Sequence, residues 1–142
     1  MSLAVRTFVT STSGKLTTLP RPPGASEAAG FESWRIQVWG SAAVRALGAT
    51  IFPQLAVQDL HVMPGRQLND FRRECRLLRA HIDEIADAAD PAGQHGTVVT
   101  TAGVIKPGET REALRRAISQ HLANIEAAIR RAKKARGGVS IE

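Results

Sequence analysis

The chain has 142 residues, 43% of them hydrophobic and 23% charged, with a net charge of +6. That length suits a single domain with its own core, and the balance excludes disordered and fibrous classes. Cys75 is the one cysteine, which excludes an intramolecular disulfide and a cysteine-based zinc cluster.

Residues 3–10 alternate as a strand, with Leu3, Val5, Thr7 and Val9 on one face. Residues 11–32 are rich in Ser, Thr, Gly and Pro, and only Leu16 to Leu19 suggests a short second strand. Pro20, Pro22 and Pro23 hold the next stretch extended as a stiff surface loop. Residues 33–39 alternate strictly, Trp34, Ile36 and Val38 against Arg35, Gln37 and Trp39, which predicts a half-buried strand. Ser41 then caps a short helix that ends at Gly48, with a strand as the rival reading. Residues 49–63 read as extended structure broken at Pro53. Leu60 and Val62 face the core, and Pro64-Gly65 turns the chain.

The second half is helical. From 67 to 89 the spacing of Leu68, Phe71, Cys75, Leu78, Ile82 and Ile85 predicts one amphipathic helix. Asp90-Pro91 and the stretch from Gly93 to Gly96 read as a loop, and 97–101 as a short strand. Leu114, Ile118, Leu122, Ile125, Ile129 and Ala132 form the stripe of a second helix over 109–136. Glu112–Arg116 and Glu126–Arg130 are spaced as i,i+4 ion pairs. Gly137-Gly138 closes that helix, and Val139 and Ile141 suggest a final strand. Two amphipathic helices need a surface to cover, and the N-terminal strands supply it. The expectation is one α+β domain over 1–142: a small antiparallel sheet, with strands and loops over 3–65, under two long C-terminal helices.

Charge is unevenly placed. Residues 66–90 hold five basic and six acidic residues, whereas 106–142 hold nine basic and four acidic ones. Fifteen of the basic residues are arginine and alanine is the commonest residue at 22. Such a bias is typical of GC-rich bacterial coding, so an arginine cluster alone is not a site. Arg72, Arg76 and Arg79 lie off the apolar stripe of the first helix, with Asp70, Glu74, Asp83 and Glu84 near enough to pair. Arg130, Arg131, Lys133, Lys134 and Arg136 crowd the end of the second helix. Five cations exceed what helix capping needs, which leaves an acidic protein partner or nucleic acid as binding readings.

Chemistry-bearing motifs are lacking. His61, His81, His95 and His121 make no two-ligand metal spacing, and neither a GxSxG elbow nor a phosphate-binding glycine loop occurs. Cys75 lies in an apolar stripe as a small core residue. Asn124, at a stripe edge, suits a hydrogen bond to a neighbouring element. No catalytic residue, metal ligand or cofactor is therefore assigned. No secretory signal and no membrane-spanning run of about 18 apolar residues is seen, which reads as a soluble cytoplasmic protein.

Trp39-Gly40-Ser41, Val44 to Ala49, Phe52-Pro53-Gln54-Leu55-Ala56, Asp59-Leu60, Phe71 and Glu74-Cys75 together resemble small bacterial immunity proteins of polymorphic toxin systems. The resemblance covers residues 34–86 and has no diagnostic motif. It implies an N-terminal sheet with C-terminal helices, and a protein that neutralises a toxin by covering it. The net positive charge departs from the acidic inhibitors of basic nucleases and implies an acidic or neutral partner surface. The function expected is thus a non-catalytic protein-binding module, a toxin-neutralising immunity or accessory protein, with Trp39, Arg72, Arg76 and Arg79 as contacts. The alternative is nucleic-acid binding through Arg130, Arg131, Lys133, Lys134 and Arg136.

Overall fold

The computed structural model describes residues 2–89, 98–100, 103–105 and 107–142. Strand β1 (Ser2–Thr10) buries Leu3, Val5, Thr7 and Phe8. Its outer edge carries two short partners: β2 (Leu16–Thr18) against Phe8 to Thr10, and β3 (Ala28–Phe31) against Ser2 to Ala4. The residues of β3 lay unrecognised in the Gly- and Pro-rich stretch. Beyond the other edge of β1 the order continues to β7 (Gly138–Ile141) and then β4 (Leu60–Val62), all antiparallel. The last strand in sequence is thus an inner strand of the sheet, and all four of its residues are buried.

Two glycines admit β7 to that place. A Cβ on Gly138 would fall 2.1 Å from the carbonyl oxygen of Val62, and one on Gly137 2.0 Å from that of Phe8. Both approaches are far inside van der Waals contact, so any side chain would force the strands apart. The helix before β7 is closed not by these glycines but by Arg136. Its φ of 58° is left-handed. Its N–H donates to Lys133 O, and the N–H of Gly137 donates to Ala132 O at 2.8 Å. This is a Schellman closure, usually built on glycine.

Between β3 and β4 the short helix expected after Ser41 is present, and the stretches on either side of it are helical turns where extended structure was expected. Residues 35–39 form a π turn, Arg35–Trp39, instead of the strand read over 33–39. Trp34, Val38 and Trp39 are buried while Ile36 is 66% exposed. Buried positions at i, i+4 and i+5 fit a wide helical turn, whereas strict alternation would have buried Ile36 with Trp34. Trp39 Nε1 donates to Ala29 O on β3 at 2.8 Å, which satisfies the buried indole. Helix α1 (Ala42–Ala46) follows, capped by Ser41 Oγ accepting from Val44 N. A 3-10 turn, Phe52–Ala56, replaces the extended stretch expected at Pro53, because proline suits the first helical turn. Arg35 ties the two turns together through Leu55 O, Gln58 O and the carboxylates of Glu32 and Asp59. Burial opposes its charge, but those two carboxylates hold its pKa above the ordinary value.

The helix expected over 67–89 is two helices, α2 (Arg66–Ala80) and α3 (Ile82–Ala89), divided at His81. The break re-aims the chain, so that adjacent Ile85 and Ala86 are both fully buried. α3 then packs on α1, the π turn and α4. A two-stranded pair, β5 (Val98–Thr100) with β6 (Gly103–Ile105), matches the strand expected near 97–101. The loop expected over Gly93 to Gly96 lies outside the described residues. Helix α4 (Pro107–Ala135) crosses the sheet and buries Ile118, Leu122, Ile125, Ala128, Ile129 and Ala132. Two side-chain bonds fix its seat: Thr7 Oγ1 donates to Ala128 O at 3.1 Å, and Asn124 Nδ2 to Ala28 O at 2.9 Å. The architecture is α+β, with a five-stranded antiparallel sheet and the helices packed on it.

Arg136→Gly relieves the left-handed residue and is expected to stabilise the fold by roughly 0.5–1 kcal/mol. Gly138→Ala is expected to destabilise it by about 3 kcal/mol or more. Urea unfolding of the two variants checks both signs. A destabilised Arg136→Gly would contradict the closure described.

Candidate interaction surface

The sheet brings two distant basic segments together. β4 leads through Met63 to Gly65 into α2, and α4 leads through Arg136 and Gly137 into β7. Because Val62 pairs with Val139, the start of α2 and the end of α4 emerge side by side. The helices then run antiparallel, and their side chains meet in order along a seam. Arg79 of α2 reaches Glu126 and Ser119, and beyond the break at His81 the α3 residues Asp83 and Asp87 reach Arg115 and Arg111.

Charge changes character along this seam. Its far half is neutralised: Arg115 Nε lies 2.7 Å from Asp83, Arg111 Nε 3.1 Å from Asp87, and Glu112 pairs with Arg115 and Arg116. At the middle, Arg79 clasps Glu126 with Nε and Nη2 and donates to Ser119 Oγ and O. That hydrogen bonding raises the Arg79 pKa further, against the pull of burial. Glu126 is therefore not the i,i+4 partner of Arg130 that its spacing suggested, since the inter-helix clasp takes it. Glu126 still lines a cavity of about 190 Å³ with Arg72, Arg76 and Arg130. Among the described residues no carboxylate pairs with those three arginines. One helical turn nearer the sheet lies a second cavity of about 270 Å³, lined by Pro64, Gly65, Leu68, Asn69, Lys133, Arg136 and Gly137.

The expected contact residues divide accordingly. Trp39 is fully buried and leaves the contact set, because its ring belongs to an aromatic series through the core. That series runs Trp34–Trp39–Phe52–Phe71, with centroid separations of 5.7, 5.1 and 4.8 Å. Arg72 and Arg76 are exposed at the seam, whereas Arg79 is engaged by Glu126. The five cations of the α4 terminus do not act as one patch. Arg130, Lys133 and Arg136 line the seam cavities, but Arg131 lies with Arg6 and Arg21 in a crevice beside β1. Lys134 is exposed and lines none of these cavities.

Glu74 was read as a surface partner for the arginines, yet it is buried against the middle segment. Its carboxylate accepts from the backbone N–H groups of Thr50, Ile51 and Phe52 at 2.9 to 3.1 Å, and from Thr50 Oγ1. It serves as the N-terminal cap of the 3-10 turn, supplied from another helix; each such bond to a charged acceptor is worth about 1.5–3 kcal/mol. Asp70 pairs with Arg73, and Glu84 with His81. His121 bonds Ala117 O and meets Trp34 edge to face, with ring centroids 4.9 Å apart.

Another cavity, of about 290 Å³, lies beside β4 among Gln54, Gln58, Asp59, His61 and Gln67. Its amides largely satisfy one another and nearby backbone. Among the described residues, no cluster of three metal-ligating side chains occurs, and no helix is long and apolar enough to cross a membrane. Neither a scan of protein-family models nor searches of curated proteins and of solved structures finds a match to this chain.

Burial pushes the Cys75 thiol well above its ordinary pKa, aided by the charges of Glu126 and Glu74. The thiolate is the reactive form, so the native protein is expected to resist a thiol-labelling reagent from pH 7 to 9 and to react fully once denatured. Rapid labelling of the native protein would contradict the buried placement.

Proposed function

We propose that this protein is a non-catalytic protein-binding module that covers a functional site on an acidic partner, with the α2–α4 seam as its contact face. The observation that carries this reading is the convergence of Arg72, Arg76 and Arg130 on one cavity without carboxylates of their own. A guanidinium presents five N–H donors in a rigid fork that matches carboxylates, and arginine is enriched among residues that dominate interface energies. The helices on either side are held by the sheet and the Arg79–Glu126 clasp, so the arginines need little ordering when a partner arrives. A stable complex would bury roughly 1,200–2,000 Å². The resemblance of residues 34–86 to immunity proteins supports the more specific form, a toxin-neutralising or accessory protein acting by occlusion in the cytoplasm. The toxin would then present an acidic surface.

Nucleic-acid binding is the second reading, favoured by the presence of Arg130, Lys133 and Arg136 on one seam. Two features weigh against it. Arg131 and Lys134 fall off the seam, and Phe31, the aromatic side chain that is well exposed, lies beside Trp34 and His121 instead of among the cations.

Affinity capture from the source cell, with and without nuclease, separates the readings. A stoichiometric protein partner is expected, resistant to nuclease and lost with the double variant Arg72→Glu/Arg76→Glu. Capture of nucleic acid alone, or of a protein that the double variant retains, would overturn the assignment.

A further inference from the structure

Building on the seam as the contact face, we propose the chemistry of what docks there: a peptide segment that sets a carboxylate about one helical turn from an apolar side chain. The carboxylate enters among Arg72, Arg76 and Arg130. The apolar side chain enters the neighbouring cavity over Pro64 and Leu68.

The two cavities differ in kind. The one nearer the sheet has an apolar base, formed by the Pro64 ring, Leu68 and the bare backbone of Gly65 and Gly137, with Asn69, Lys133 and Arg136 as its other lining residues. At Gly65 a Cβ would meet nothing within 4 Å, so its bare backbone leaves that side of the cavity open. The other cavity is lined by three arginines and by Glu126, whose charge Arg79 already answers. Both are smaller than the roughly 300–1,000 Å³ of sites that enclose a whole small molecule. Each therefore suits one side chain.

Their spacing follows from the helices. Asn69 precedes Arg72 by three residues on α2, and Lys133 follows Arg130 by three on α4. One helical turn advances about 5.4 Å, which is also the separation of side chains at i and i+3 or i+4 on a docking helix. An amphipathic acidic helix laid along the seam meets both cavities at once. A nucleic-acid backbone satisfies the arginines but brings no apolar side chain to the second cavity.

Fluorescence anisotropy tests this with three labelled probes. The first is a short helix-forming peptide with glutamates and leucines at i, i+3 and i+4 spacing. The second is the same peptide with serine for leucine, and the third is a DNA duplex. Burying the leucine side chain in the apolar cavity favours binding, so the leucine peptide is expected to bind at least about tenfold more tightly than the serine peptide. Asn69→Trp, which places a bulky ring over the apolar cavity, is expected to erase that difference between the two peptides. Arg72→Gln/Arg76→Gln is expected to weaken both peptides, with circular dichroism checking that each variant stays folded. Equal binding of the two peptides, still lost in the arginine variant, would overturn the two-cavity inference and leave the seam reading standing. Binding that ignores the arginine variant, absence of binding by either peptide, or tighter binding of the duplex would overturn the seam reading as well.

Discussion

The pairing of β4 with β7 is the constraint on which the rest of the molecule depends. Val62 lies opposite Val139, and their backbones can come together only because Gly138 has no side chain to meet the Val62 carbonyl. Each of these strands is joined to a long helix by a connection of two or three residues. Setting the strands side by side therefore sets the start of α2 beside the end of α4. Their antiparallel course, the Arg79–Glu126 clasp and the two cavities nearer the sheet follow from that junction.

The middle segment holds α2 in place from its other side. The carboxylate of Glu74 points away from solvent and gathers three backbone N–H groups of residues 50–52. Phe71, one turn earlier, joins the aromatic series that runs back to Trp34 beneath the π turn. These contacts consume the inward face of α2 and leave Arg72 and Arg76 on the outward one. The same helix thus serves as a wall of the core and as half of the candidate surface. Its acidic residues are divided between those roles: Glu74 works inward, while Asp70 pairs locally with Arg73.

Local patterning made the α+β class, the apolar stripe of α4, the cap at Ser41, the core position of Cys75 and the helix-to-sheet role of Asn124 legible in the sequence. It failed where burial was decided by distant partners. Residues 33–39 alternate like a strand, but Trp34 and Trp39 are both drawn inward, one to the aromatic series and the other to Ala29 O as well. Spacing on α4 offered Glu126 to Arg130, yet Arg79 arrives from α2 with a better fork of donors. The candidate surface was half visible for the same reason. Its arginines stood out as two separate clusters, and only the long-range pairing of β4 with β7 joins them. The five-cation terminus of α4 looked like one patch in sequence, but helical geometry sends its members to three different sides.

The seam is electrostatically graded: among the described residues, Arg111 and Arg115 far from the sheet pair with Asp87 and Asp83, whereas Arg72, Arg76 and Arg130 nearer to it pair with no carboxylate. Arg72, Arg76 and Arg130 share a cavity whose one carboxylate, Glu126, is already engaged by Arg79, and like charges gathered in this way favour an acidic partner. The most direct measurement is hydrogen–deuterium exchange on the complex with the captured partner. Protection is expected to concentrate in residues 66–76 and 130–136, with little change at the free edge of β4 or around Phe31. Protection confined to those latter regions, with α2 and the end of α4 unchanged, would contradict it.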